Sequence, residues 1–375
     1  MISFFLSGLV LGAGVGLILT QLIYAAGAFM AVLAVSRGLK RSVASAFAWA
    51  FGIAAGVLSS SGFWMYMLWT RFESPFFPFF NAFFKSPYFD PVEIADTRFF
   101  PEGVIQTLFF PFYFARLNFY LVLEQYFREV RFAVVYILLV LSALMLAHRY
   151  LRKAGENRPG WDSSKYLFLA VFFVGSYVIW QIRFPYYRYL IPLELLAPAL
   201  VVVLLSYVVR SRPWFYLSVA AALIGIISMV KVPDWGRTNW SESYFGLETP
   251  PAYIEKNSVV IMAGQRPYSY LIPFFPEDIR FVRVESNFTA PHKNTLYQKE
   301  IRELLNEHAG PVYLLVPFAN VFQIEKITGE YGMYARKDDC SSFSSAKGLA
   351  AEGEDRFILC RLARLPERNA SGPIR

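Results

Sequence analysis

Hydrophobic residues form long, nearly uncharged runs through the first 231 positions of the chain, and only short segments after them. A helix needs about 17 to 25 apolar residues to cross a bilayer, and the long runs are close to that length. The pattern therefore predicts an α-helical polytopic membrane protein with about six transmembrane helices. They fall in residues 4–35, 43–70, 132–147, 166–182, 189–209 and 214–230.

The first run is rich in glycine, and Gly8, Gly12 and Gly16 recur at four-residue spacing. Small residues at this spacing let neighbouring helices approach closely. The length of residues 4–35 permits either one tilted helix or two half-length helices that meet near Thr20 and Gln21.

Residues 71–131 form the longest segment between the predicted spans, and phenylalanine and proline dominate its first part. The repeated prolines exclude one long helix. A segment this rich in phenylalanine is expected at the outer membrane interface, with an interfacial or re-entrant helix in residues 103–120.

From residue 232 onward, charged and polar residues reach the frequency typical of soluble proteins. Strands are predicted at 259–262, 279–284, 312–316 and 357–362, with helices at 295–308 and 321–331. Alternating strands and helices favour a small α/β domain with a mainly parallel sheet. We therefore predict two domains, a transmembrane one over 1–231 and an extracytoplasmic one over 232–375.

Composition and charge predict where in the cell the chain lies. The chain is 56% hydrophobic and 17% charged, against a charged share of about 25% in ordinary globular proteins. Basic residues mark short cytoplasmic loops, here around Arg41 and Arg152, which predicts a membrane protein whose C-terminal domain lies outside the cytoplasm. The N-terminal run reads as a retained anchor. The net charge of +8 is spread over the loops, so membrane lipid is a better partner than nucleic acid.

Candidate chemistry centres on the turn that joins the fourth and fifth runs, where Arg183 and Arg188 lie among aromatic residues. Glu194 follows inside an apolar run, and an intramembrane carboxylate indicates either function or a paired contact. We consider a pair of Arg188 with Glu194, which could take part in function or only fasten two helices.

Three acidic residues, Asp90, Glu93 and Asp96, are weak candidates for a catalytic base or a divalent-cation site. The alternative, which we favour, is a solvated loop with a contact between Asp96 and Arg98.

Four cations are candidates for binding a phosphate, because cationic side chains pair with phosphate oxygens: Lys85, Arg98, Arg183 and Arg188. Simple anchoring at the interface would explain the same four residues equally well. The three histidines are too far apart in sequence to indicate a zinc site, and no cofactor is evident.

The two cysteines, Cys340 and Cys360, lie in the domain predicted to be external, where disulfides are permitted. The sequence leaves open whether they are bridged or are two free thiols, the second packed in the closing strand.

Three motifs occur in order: Ser74-Pro-Phe-Phe-Pro-Phe-Phe-Asn-Ala-Phe-Phe-Lys-Ser-Pro-Tyr-Phe, Tyr187-Arg-Tyr-Leu-Ile-Pro-Leu-Glu and Ser269-Tyr-Leu-Ile-Pro-Phe-Phe-Pro. They resemble segments in the C-terminal portion of bacterial polytopic membrane glycosyltransferases of the GT-C type. The resemblance implies transfer of a sugar from a polyprenyl-phosphate carrier on the extracytoplasmic face, in assembly of an envelope polysaccharide or glycolipid.

The chain departs from that class in one respect. The resemblance implies eight or more membrane spans and an acidic residue in the first external loop. In this chain, by contrast, no Asp or Glu occurs before Glu73. The family's catalytic acid is therefore not carried over to any residue, and the chain is expected to be part of a longer or split enzyme, or one whose catalytic part has moved or been lost. Two alternatives stay open. The first is a non-catalytic membrane subunit or scaffold of a cell-envelope polysaccharide complex, which would bind a partner membrane protein. The second is a transporter, for which we find no internal repeat.

Overall fold

The computed structural model describes residues 1–36, 38–94, 96–151, 163–233, 247, 254–345 and 355–365. The chain divides into two compact units. A helical unit combines Met1–Tyr66 with Ala95–Trp235, and a sheet unit combines Met67–Ile94 with Gly236–Arg375. The predicted division into residues 1–231 and 232–375 differs from this one, because it placed all of residues 71–131 with the helices.

The first apolar run folds as two short helices, α1 (Ile2–Leu17) and α2 (Leu22–Val35), joined by a 3-10 turn at Leu19–Gln21. Helix α1 ends at Leu17, because the next residue, Ile18, adopts an extended backbone conformation. Of the two arrangements that the sequence allowed, the structure has the pair of half-length helices.

Helix α3 (Leu39–Phe72) runs parallel to α1. Gly8 of α1 contacts Trp49, and Gly12 contacts Ile53, so the residue numbers of the contacts increase together along both helices. A Cβ atom added to Gly8 would overlap the Trp49 backbone, and one added to Gly12 would overlap that of Ile53. The Trp49 ring also lies 6.0 Å from Phe29 of α2. Helices α1 and α2 therefore form an antiparallel hairpin against α3, and the glycines set how closely it packs.

The remaining helices are α4 (Asn81–Phe84), α5 (Gly103–Phe114), α6 (Arg131–Leu151), α7 (Ser163–Arg183), α8 (Ile191–Val208) and α9 (Arg212–Met229). Five helical stretches within the described residues are long and apolar enough to cross a membrane: Ser42–Phe72, Arg131–His148, Ser164–Arg183, Tyr187–Val208 and Arg212–Met229. These correspond to five of the six predicted spans, and α5 lies where an interfacial or re-entrant helix was predicted.

Helices α6 to α9 alternate in direction. The start of α6 and the end of α9 meet in a short antiparallel bridge, in which Arg128 and Lys231 exchange backbone hydrogen bonds of 3.1 and 2.9 Å. At the opposite ends of α7 and α8, the rings of Tyr166 and Tyr207 lie 4.4 Å apart. We call the end that holds Arg128 and Lys231 the bridge end of the helical unit.

The sheet unit contains β1 (Val259–Met262), β2 (Arg280–Arg283), α10 (Leu296–Glu307), β3 (Val312–Pro317), α11 (Ile324–Gly329), β4 (Met333–Ser345) and β5 (Asp355–Arg364). The strand order is β2-β1-β3-β5-β4. Strand β1 pairs in parallel with β2 and β3, whereas β5 is antiparallel to both of its neighbours. The domain is α/β as predicted, but the sheet is mixed, so the prediction of a mainly parallel sheet is wrong for β4 and β5.

The structure joins Cys340 of β4 to Cys360 of β5 in a disulfide. The two residues are register partners in the antiparallel pair. Of the two states that the sequence left open, the structure has the bridge, and it ties the edge strand to its neighbour.

An asparagine at the centre of residues 67–94 fixes the conformation of this segment. The Asn81 side chain is 1% exposed, donates to the carbonyl oxygens of Ser86, Phe89 and Asp90, and accepts from the Ser86 amide at 2.8 Å. Further along, Asp90 forms a 2.5 Å ion pair with Lys293. A buried polar group with all its hydrogen bonds formed specifies one loop conformation.

Candidate functional site

A charged cluster, formed by Glu129, Arg131, Tyr187 and Glu194, lies at the bridge end of the helical unit. Glu129 lies two residues before Arg131, which begins α6, and Glu194 lies in the first turn of α8. The Arg131 guanidinium forms ion pairs with both carboxylates. The Tyr187 hydroxyl lies 3.1 Å from an oxygen of each of them.

Burial makes this charged cluster unusual. Glu129 is 1% exposed and the Glu194 side chain is 22% exposed. Arg131 binds Glu129 through its backbone amide at 2.8 Å and through Nε at 2.7 Å. Two carboxylates share one guanidinium, so the ionised cluster carries a net charge of −1. Both carboxylates stand at helix N-termini, where the backbone amides and the helix dipole stabilise negative charge.

The pairing of Arg188 with Glu194 that the sequence suggested is wrong. Glu194 pairs with Arg131, and the Arg188 guanidinium instead lies 4.5 Å from the centre of the Tyr186 ring and 5.4 Å from that of Tyr189. Arg188 is exposed and forms no ion pair within the described residues. It therefore stays available to an anion, held in place by two aromatic rings.

A second set of charges lies between residues 96 and 124 of the same unit. Arg98 forms ion pairs with Asp96 at 2.7 Å and with Glu124 at 3.0 Å. The Arg98 hydrogen bond lowers the pKa of Asp96. Burial, with a hydrogen bond donated to Glu124 at 2.6 Å, raises the pKa of Tyr186 to about 12. The predicted contact between Asp96 and Arg98 is confirmed, and it engages Arg98, which we had considered as a phosphate ligand.

The other predicted site residues are dispersed. Asp90 is paired with Lys293, while Glu93, Lys85 and Arg183 are exposed. Among the described residues, no group of three His, Cys, Asp or Glu side chains could hold a metal ion. Asp90, Glu93 and Asp96 are therefore not gathered into a divalent-cation site.

An apolar groove of about 440 Å³ lies between α5, α6 and α7. One end is marked by the Gln181 side chain, which donates to the Thr107 carbonyl at 2.8 Å. Its walls include Phe132, the residue after Arg131, so the groove reaches the start of α6, although no residue of the charged cluster lines it. The Tyr177 hydroxyl is buried there with no hydrogen-bond partner in the described part of the chain. The further wall residues are Leu108, Pro111, Val135, Tyr136, Leu139, Val140, Phe173, Val174, Val178 and Ile182.

Sequence reasoning missed Glu129, Arg131 and Tyr187 as members of one site. One local signal was available, since an acidic residue just before the start of an apolar helical run is typical of a residue that caps that helix.

Comparison of the chain with protein-family models, with curated proteins and with solved structures gave no significant match. The residues themselves define a helical unit that contains an apolar groove and a charged cluster, and a separate mixed-sheet unit.

Proposed function

We propose that this chain is a bacterial inner membrane protein of the GT-C glycosyltransferase type, which binds a polyprenyl-phosphate-linked sugar at the bridge end of its helical unit. One observation carries the proposal: an apolar groove and a charged cluster both include residues at the start of helix α6. A lipid carrier has the same two parts, a long hydrocarbon chain and a charged head. Groups at such a boundary fix the depth at which an amphiphile binds.

The groove suits the isoprenoid chain. Its volume of about 440 Å³ lies within the roughly 300 to 1,000 Å³ of ordinary ligand cavities, and nearly all of its walls are apolar. Tyr136 and Tyr177 are exceptions that add aromatic surface. A few isoprene units would fill the groove, and the rest of the chain would lie in the bilayer.

Arg188 is the best candidate for the carrier phosphate. Its guanidinium is exposed, stacked on two tyrosines and free of carboxylates in the described residues, whereas Arg98 and Arg131 are already neutralised. Arg183 is exposed at the end of α7 and is a second candidate. A planar guanidinium binds two phosphate oxygens at once.

Glu194 is the best candidate for a general base. It is the more exposed of the two carboxylates in the charged cluster, with 22% of its side chain exposed. In the reaction, an acceptor hydroxyl loses its proton to Glu194 and forms a bond to the anomeric carbon of the sugar. The bond from that carbon to the phosphate oxygen breaks, and the phosphate leaves on the carrier.

A second function is favoured by one observation. Both carboxylates of the charged cluster are already bound to Arg131, as expected if the cluster only fastens α6 to α8. The chain would then be a non-catalytic subunit of an envelope-polysaccharide complex. Wild-type and Glu194→Gln proteins that both bind the carrier while neither transfers sugar would support this role.

The binding test uses a polyprenyl phosphate with a photoreactive diazirine near its head, added to purified protein in lipid nanodiscs. Leu139→Trp should fill the groove and lower labelling at least about fivefold, because bulk in the cavity excludes the chain. Leu144→Trp is the matched control, since Leu144 lies on the same helix, is 62% exposed and is outside the groove. Equal labelling of both variants would refute the groove as the carrier site.

The proposed orientation places the loops around Arg41 and Arg152 in the cytoplasm and the sheet unit outside the cell. The disulfide supports this, because such bonds persist in oxidising compartments. A cysteine at Ser163 should resist an impermeant thiol reagent in intact spheroplasts, whereas one at the exposed Asn287 should react. The opposite labelling pattern would invert the topology.

A further inference from the structure

The sheet unit has a second candidate site, at the carboxyl edge of its parallel strands. Strand β1 leads to β2 on one side, and the chain then crosses to β3 on the other side. The chain direction reverses at this point, and ligands of parallel sheets bind in the crevice that such a reversal opens at the carboxyl ends of the strands. Glu285 follows β2, and Phe322 and Gln323 follow β3.

A cavity of about 280 Å³ lies at this edge. Its polar walls mix acceptors and donors, and its apolar walls include an aromatic ring that is 75% exposed, that of Phe322. The polar residues in the walls are Glu285, His292, Gln323, Lys326 and Glu330.

The wall behind the cavity is held by a saturated hydrogen-bond network. The Gln298 side chain is fully buried, donates to the Val284 carbonyl and the Thr289 hydroxyl at 2.8 Å each, and accepts from Tyr331 at 2.7 Å. Arg302 donates to the Pro291 carbonyl at 2.6 Å. A site supported in this way is preorganised, so little ordering is needed on binding.

Glu285 has one carboxylate oxygen that is buried and has no hydrogen-bond partner in the described part of the chain. A buried acceptor without a partner costs free energy, so it needs an explanation outside the protein's own contacts. Glu285 also lines the cavity, where its carboxylate can accept a hydrogen bond from a ligand hydroxyl.

From these features we infer that the cavity binds one sugar residue of a saccharide. A sugar ring offers hydroxyls that both donate and accept, which match the carboxylates, the Gln323 amide and the Lys326 ammonium group. The Phe322 ring offers a flat apolar surface for the C–H face of the sugar. The cavity volume is near the lower limit for small-molecule sites, about 300 Å³, which suits a single ring.

Other ligand classes fit the walls less well. Glu285 and Glu330 would repel a phosphate or another anion. A metal ion would need more acidic or histidine ligands than the described residues bring together here. The saccharide site does not depend on the proposed transfer reaction, because it uses none of the residues of the charged cluster or the groove.

The test uses the full-length protein in lipid nanodiscs, since maltoside and glucoside detergents would themselves offer sugar. Saturation-transfer-difference NMR is measured with the methyl glycosides of glucose, galactose, mannose and N-acetylglucosamine. At least one should give a signal that grows with concentration and saturates. The absence of signal from all four would overturn the inference.

Phe322→Ala should weaken binding by about fivefold or more, through loss of the stacking surface. Phe318→Ala is the matched control, because Phe318 belongs to the same 3-10 turn, is 51% exposed and does not line the cavity. Glu285→Gln should weaken binding while thermal stability stays unchanged or rises. Equal losses in Phe322→Ala and Phe318→Ala, or full binding by Glu285→Gln, would overturn the assignment of this cavity.

Discussion

Removal of the Arg131 guanidinium should destabilise the helical unit more than any other single change in the charged cluster. Arg131→Met keeps the aliphatic stem but leaves two carboxylates without a cation, one of them 1% exposed. Breaking a buried ion pair from one side costs about 3 to 5 kcal/mol, since the remaining charge stays desolvated. At roughly 2 to 4 °C per kcal/mol for a unit of this size, the midpoint of thermal unfolding should fall by at least about 6 °C.

Two further variants make this prediction specific. Glu194→Gln leaves Arg131 paired with Glu129 and removes the excess negative charge, so it should cost only about 1 kcal/mol, the value of one hydrogen bond. Arg188→Met removes an exposed guanidinium that stacks on two rings, and should also cost about 1 kcal/mol or less.

The assay is the fraction of protein that stays monodisperse in size-exclusion chromatography after heating in one nanodisc composition. The triple variant Arg131→Met, Glu129→Gln, Glu194→Gln should recover most of the lost stability, because it removes the uncompensated charges together with the cation. If Arg188→Met lowers the midpoint as much as Arg131→Met does, Glu194 is paired with Arg188 after all. If the triple variant is no more stable than Arg131→Met, the loss comes from packing rather than charge.

Two other predictions concern stability. Replacing Cys340 and Cys360 together by Ala should destabilise the sheet unit by about 3 kcal/mol, since the bridge spans 20 residues of chain and restricts the unfolded state. Urea unfolding followed by intrinsic fluorescence measures the loss, and alkylation of the denatured wild type should find no free thiol before reduction. Gly12→Leu should force α1 away from Ile53 and cost about 1 to 3 kcal/mol or more, whereas Gly14→Ala, where nothing lies within 4 Å, should be nearly neutral. Heating in nanodiscs separates these two, and similar midpoints would show that α1 does not pack on α3.

The elements that the sequence predicted well are those with a strong local pattern. The apolar runs of α6 to α9 form helices, because a helix satisfies the hydrogen bonds of its own backbone. The amphipathic helix α10 lies within one residue of its predicted limits. Strand β4 was missed because its residues are mostly polar, from Arg336 to Ser342, as is common at a sheet edge. Its pairing with β5 is a long-range contact that no local pattern reveals.

The charged cluster was only half predictable. Glu194 stood out as an acidic residue in an apolar run, but its partner depends on how α6 and α8 pack, and Arg188 was nearer in sequence. Glu129 was not among the candidate residues, because its burial depends on the tertiary fold. The groove was beyond sequence reasoning, because its wall residues belong to three helices and share only apolar character.

The α1–α2 hairpin has a consequence for the lipids around this protein. Its helices have 16 and 14 residues, which is about 24 and 21 Å at roughly 1.5 Å per residue, less than the roughly 30 Å hydrocarbon thickness of a bilayer. In the proposed setting, this side of the protein meets the surrounding acyl chains with a hydrophobic mismatch. Lipid there thins or rearranges at a cost of fractions of a kcal/mol per Å. Short-chain lipids should therefore gather at the hairpin, and bilayer thickness becomes a variable to which this protein responds.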